Sequence, residues 1–348
     1  MAQLIYSEPE LMRDHDYARL HEGRGQRMHG GFMVDGRYQP PRALIREPAL
    51  TAWTDALQAR GGTLLDADAS LLSGPRMPNV AQQQLLLRAG LGQTFWNGLT
   101  TTGKIEGRGR VLAEMQFPDL QPLIVEDISG MALGHLNKGL LKAHGLDEGG
   151  IPAAGIGGHD VMWFVARDLV FGENAFPDVT PPESISRPET GKRWMPEIAM
   201  PYEGMVSFLM NLLLIEFRAE IGFASTQAVM RTADLFADRR TAAEEAAEII
   251  GRIRTDEEIH VTSLRLYLGE LRSVTLRTID GGTIAGSVLV DRFWKELLQW
   301  ATVEQPAIAA RLQFEMIRCR ILAHAPGTRI LAQFEQLADQ SMLSAAAD

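Results

Sequence analysis

The chain has 348 residues, 45% hydrophobic and 22% charged, which suits a soluble globular protein with a large core and excludes a mostly disordered one. A formal net charge of -10 with scattered basic residues argues against a nucleic-acid surface, where phosphates demand clustered Lys and Arg. One cysteine, Cys319, excludes a disulfide framework or a thiolate cluster, and no apolar run reaches the length of a membrane span, so a cytoplasmic protein with no membrane partner is expected.

In chain order, residues 1–115 read as a mixed region of short helices and a hairpin. The hairpin is Phe32–Tyr38, whose Asp35-Gly36 pair suits a tight turn. His15, His21 and His29 share no helical face and read as surface histidines. Helices are predicted over Pro48–Ala59 and from Pro78 onwards. Gly98–Lys104 (GLTTTGK) has the spacing of a phosphate-binding loop. Ile105 stands where that loop needs a hydroxyl for magnesium, and no buried strand precedes it, so nucleotide binding is not expected.

Residues 116–277 carry helices with inward polar side chains. Pro122–His144 reads as a helix with Glu126 on the face of Leu123, Leu133 and Leu140; a first-turn acid favoured by the helix dipole explains Glu126 as well as a ligand role does. After a Gly-rich link over 145–158, His159 leads the stripe of Met162, Trp163, Ala166 and Val170. Asn174–Trp194, rich in proline, is an irregular connection, either a lid or a surface loop. The helix Pro201–Phe236 places Glu216 and Glu220 one turn apart in an apolar setting, which is expensive unless a cation neutralises them. In Ile253–Leu271, Glu257 and His260 share the stripe of Ile253, Val261, Leu264 and Leu268, while Glu270 falls away from it. Residues 278–348 break at TIDGGTIAGS and continue as amphipathic helices for packing or a homodimer contact.

Glu126, His159, Glu216 with Glu220, and Glu257 with His260 are separated by distances that fit a climb, a turn and a return along antiparallel helices. In this order and spacing the sequence resembles the ferritin-like di-metal carboxylate superfamily, which includes ribonucleotide reductase small subunits and bacterial multicomponent monooxygenase hydroxylases. The resemblance implies an all-α fold: a ferritin-like four-helix bundle with extra N- and C-terminal helices. It also implies two Fe ions or an Mn/Fe pair. Carried over, Glu126 is the first-helix ligand, His159 the second-helix imidazole, Glu216 or Glu220 the third-helix acid, and Glu257 with His260 the fourth-helix unit. Ile156 stands where the family has a bridging Glu, so Glu216 and Glu220 together replace it, or one metal binds, or the site has degenerated.

The function so implied is a metal-dependent oxidoreductase or oxygenase that activates dioxygen and acts on a small apolar substrate. Met162, Trp163, Phe217 and Tyr267 either line its pocket or are ordinary core. The rivals are a metal-free helical scaffold with a buried ion-pair network and a mononuclear metal hydrolase.

Overall fold

The structure, a computed structural model, describes residues 3–74, 76–188 and 190–345, with side chains described as far as residue 338. It is mostly helical, as the patterning predicts. After a single helical turn, α1 (Glu8–Leu11), come three antiparallel strands, β1 (Arg19–Gly23), β2 (Gln26–Phe32) and β3 (Tyr38–Gln39). The β2–β3 turn falls on Asp35-Gly36, and Gly36 takes the φ of +81° that such a turn needs. A short strand from the middle of the chain, β4 (Ile156–Gly157), pairs with β2 in parallel and ties the N-terminal sheet to the helices.

Helix α2 (Ala43–Ala59) runs through Pro48. The segment after Pro78 forms two helices, α3 (Val80–Arg88) and α4 (Gln93–Gly109), divided at Gly90 with φ +76°. The phosphate-loop lookalike is the interior of α4, and its Lys104 pairs with Asp178 at 2.6 Å. Of its two glycines, Gly103 serves packing against α6 (His159–Phe171). A Cβ on Gly103 would stand 2.8 Å from the Phe164 ring, so this face of α4 must be bare for the two helices to approach.

The predicted helix over Pro122–His144 does not form as one piece. The chain turns and bridges Ile124 to Leu276, passes through a 3-10 turn at Ala132–His135 and a wide turn at Leu136–Leu140, and becomes helical as α5 (Leu141–Gly149). Glycine explains the break. Gly139 takes φ +115°, and a Cβ on Gly134 would sit 2.2 Å from the Ile128 carbonyl oxygen, so the chain doubles back where a straight helix was expected.

The long helices are α7 (Met200–Met230) and α8 (Arg240–Ser273). Helices α4, α6, α8 and α7 lie side by side in that order, with α5 against α4 and α6. The proline-rich connection before α7 is irregular, as predicted, and is held down where Arg108 donates to the Pro182 carbonyl and Arg218 to that of Ile185. A hairpin of β5 (Thr275–Arg277) and β6 (Thr283–Ala285) then leads into α9 (Gly286–Gln299), α10 (Gln305–Leu322) and α11 (Gly327–Ala345). No helix among the described residues is long and apolar enough to cross a membrane.

Two large apolar clusters divide the interior. One joins α2, the first half of α7, the second half of α8 and α9; the other joins α4, α6 and the remaining halves of α7 and α8. Along α7 the change falls between Phe217 and Phe223, and along α8 between Ile253 and Ile259. Buried polar residues occupy the seam between the clusters. Met162, Trp163, Phe217 and Tyr267 are buried members of these clusters.

Candidate metal centre

Seven side chains converge in the seam: Glu106 from α4, His144 and Glu148 from α5, His159 from the start of α6, Glu216 from α7, and Glu257 and His260 from α8. None is more than 10% exposed. They form two groups able to hold a metal ion, His144–Glu148–Glu216–His260 and Glu106–Glu148–His159–Glu257, with the ligand atoms of each within 4.8 Å of one another.

Two carboxylates face both groups. Glu148 turns Oε1 towards His144 Nε2 and His260 Nδ1, at 3.5 and 3.3 Å, and Oε2 towards His159 Nδ1 at 3.6 Å. Glu257 turns Oε2 to His260 Nδ1 at 2.7 Å and Oε1 to His159 Nδ1 at 3.2 Å. Each half also has an acid of its own. Glu216 Oε1 is 3.1 Å from His144 Nε2, and Glu106 Oε2 is 3.5 Å from His159 Nδ1.

Helical periodicity accounts for much of this placement. Glu257 and His260 are three residues apart on α8, and His144 and Glu148 four apart on α5, so each pair shares a face. On α4 the buried stripe Phe95, Leu99 and Gly103 continues to Glu106. Gly109 then makes room, because a Cβ there would lie 2.5 Å from Glu148 Cγ.

A second ring of acids fixes the imidazoles. His260 Nε2 is 3.1 Å from Asp147 Oδ2, and Asp147 is gripped by Arg42 and, at 2.8 Å, by Arg46. His159 Nε2 is 3.3 Å from Asp256 Oδ2, which also receives Tyr38 Oη–H at 2.9 Å and His29 Nε2 at 3.0 Å. An ionised carboxylate only accepts, so each imidazole donates its Nε2–H there and turns Nδ1 to the glutamates, where Nδ1 donates when protonated, as His260 does to Glu257 at 2.7 Å, and offers a ligand lone pair when a cation takes the proton's place. That arrangement leaves buried atoms without hydrogen-bond partners. Among them are Glu106 Oε2, His144 Nε2, His159 Nδ1 and Glu257 Oε1, all ligand atoms of the two groups. Orphaned lone pairs that point at one another are costly unless a cation or a proton lies between them.

Burial is the largest influence on every one of these groups. It pushes Glu106 well above the carboxylate range, with Glu148 adding to the push, and raises Glu216 to about 8 with help from Glu257. Glu257 is pushed up by burial and by Glu148, but His159 and His260 outweigh both and hold it at about 2. Burial also raises Glu148, and the surrounding imidazoles, led by His159, reverse this and hold it well below its ordinary value. His159 and His260 are pushed down by burial and lifted well above the usual imidazole range by their acids, Glu257 foremost. Protons therefore neutralise the cluster when no cation does. Two divalent ions would do the same for four glutamates, and the donor set of carboxylate oxygens and imidazole nitrogens fits such ions.

Of the sequence-predicted ligands, His159, Glu216, Glu257 and His260 come together here, and Glu126 and Glu220 do not. Glu126 sits in the doubled-back coil, where its carboxylate accepts the Thr275 amide at 2.9 Å. Glu220 is exposed, since four helical residues turn the chain by about 400° and carry it about 6 Å along the axis, out of the seam. Ile156 lies in β4, and a carboxylate that the sequence reading did not single out, Glu148 of α5, stands beside His159 in the cluster. His21 and His29 are buried rather than on the surface, and Glu270, expected to face away, is buried and accepts the Leu133 amide at 3.0 Å. Glu106, His144 and Glu148 were missed because Glu106 lies just past the phosphate-loop lookalike, and His144 and Glu148 lie where a Gly-rich link begins. Their signals were the continuing α4 stripe and the one-turn spacing of His144 and Glu148.

Compared with family models, curated proteins and solved structures, the chain matches none.

Proposed function

We propose that this chain is a metal-dependent oxidoreductase or oxygenase of the ferritin-like di-metal carboxylate type, holding two Fe ions or an Mn/Fe pair and activating dioxygen. The observation that carries this reading is the double-sided placement of Glu148 and Glu257, each with one oxygen towards either group of ligands. A mononuclear centre has no use for two such carboxylates. A metal-free scaffold would have to bridge the four ligand atoms named above with protons alone.

Oxygen-dominated donors with imidazole and no thiolate suit Fe or Mn. The bound metals would supply dioxygen binding and reduction. The chain's own residues do the rest. Glu106 and Glu216 would hold one ion each, Glu148 and Glu257 would serve both, and the apolar clusters pack around them. Asp147 and Asp256 keep the Nε2 protons of His260 and His159 in place, which fixes both rings.

Metal analysis of protein purified without chelators, followed by anaerobic Fe(II) loading and exposure to air, tests this. About two Fe or Mn per chain and Fe(II)-dependent oxygen uptake are expected. Less than one Fe or Mn per chain refutes the reading. Tight Zn binding with hydrolytic activity and no oxygen uptake would keep the centre and remove the oxidation.

A further inference from the structure

The two halves of the cluster are not alike. One half has two imidazoles, His144 and His260, with Glu216 and an oxygen from each of Glu148 and Glu257. The other has one imidazole, His159, with Glu106 and the remaining two oxygens. The additional imidazole is built in. His144 stacks on His260 with ring centroids 3.8 Å apart and planes 11° from parallel, and its Nε2 is buried with no hydrogen-bond partner. The supports differ too. His260 is fixed by Asp147, itself held by two buried arginines, whereas His159 is fixed by Asp256, held by Tyr38 and His29.

We propose that these halves bind divalent ions with unequal affinity and in order, a proposal that rests on the two-metal reading above. The His144–Glu216–His260 half fills first and prefers ions that favour nitrogen, such as Fe(II) or Co(II). The Glu106–His159 half fills second and accepts an oxygen-preferring ion such as Mn(II). The chemistry behind this is general. Imidazole suits Fe and the later divalent metals, which bind a given site more tightly than Mn, while carboxylate oxygens suit Mn, and a ligand already oriented costs less to engage.

Anaerobic titration of the metal-free protein with Co(II), followed by visible absorption and calorimetry, reads the order directly. Wild-type protein takes up two equivalents in steps separated by about tenfold or more in Kd. In His144→Ala the first step weakens by about tenfold or more, so that the steps merge while two equivalents still bind. In Glu106→Ala the first step keeps its Kd and the second is lost. His144→Gln, closer in size, repeats the measurement, with far-UV circular dichroism as the check that each variant is folded. Mn(II) added to protein preloaded with one Co(II) enters the second half, giving a mixed pair detectable by electron paramagnetic resonance. Inseparable wild-type steps, an unchanged first step in both folded His144 variants, or loss of the first step in Glu106→Ala would overturn the ordering and leave the two-metal reading standing. Failure of the wild type to take up two ions would overturn both.

Discussion

Asp147, Glu203 and Glu270 are buried acids that the fold satisfies from within, whereas Glu106, Glu148, Glu216 and Glu257 are buried acids that it surrounds with imidazoles and with one another. Asp147 has Arg42 and Arg46; Glu203 has Arg193 and the amides of Trp194 and Met195; Glu270 has Arg60 and the Leu133 amide. No arginine or lysine pairs with any of the four glutamates among the described residues. The molecule thus supplies its own cations where an acid only has to be stable, and withholds them where two half-sites meet. The difference separates an acid used for architecture from one kept available to an ion from outside.

The largest effect is expected at the architectural acid. Asp147→Ala leaves two buried guanidiniums without their carboxylate and should cost about 3–5 kcal/mol of unfolding free energy, measured by chemical denaturation with and without metal. An unchanged midpoint would erase the difference between the two kinds of buried acid.

Next comes the effect of the ion itself. At about a hundred times its Kd, a ligand that binds only the native state adds about 2.7 kcal/mol, and Fe(II) should do this for the wild type but not for Glu257→Ala or His260→Ala. Equal stabilisation of the variants would place the ion elsewhere.

A pH-dependent effect follows from the raised groups. Glu216 is held at about 8 in the folded chain against an unfolded value of 4.5, and Glu106, His159 and His260 are raised as well. The metal-free folded state then binds more protons than the unfolded chain, so its stability falls as pH rises from about 4.5 to about 8. Metal should flatten this slope by replacing those protons, and melting temperatures at pH 6 and pH 8 with and without Fe(II) would show it.

The smallest effects belong to the two acids outside the seam. Glu220→Gln should change neither stability nor metal content. Glu126→Ala should cost about 1 kcal/mol for its bond to the Thr275 amide and leave metal content as in the wild type.

Residues whose neighbours in sequence are also their neighbours in space were the legible ones. Glu257 and His260 on α8, Glu216 on α7 and the His159 stripe on α6 follow from a 3.6-residue period, as does the mainly helical character of the chain. The period failed where glycine changed the geometry. In α4, Gly98 and Gly103 resemble a loop, and Gly103 serves helix packing; from Pro122 to Leu140 glycines let a helical pattern coil back on itself. Contacts across the chain had no local signal. His29 and Asp256 are 227 residues apart, and Arg42 and Asp147 are 105 apart, so neither pairing could be read from spacing. Dividing the chain at residue 115 accordingly separated Glu106, His29, Tyr38, Arg42 and Arg46 from the acids and imidazoles they support.

That reach between the β2 and α2 region and the far helices has a consequence for biosynthesis. Asp147 is made 105 residues after Arg42, and Asp256 227 residues after His29, so these side chains wait through long stretches of synthesis without the partners they are shaped to meet. An ion captured by the finished cage would tie α4, α5, α6, α7 and α8 together at once, so scarcity of metal during synthesis should be read out as degraded chains rather than as intact but idle ones.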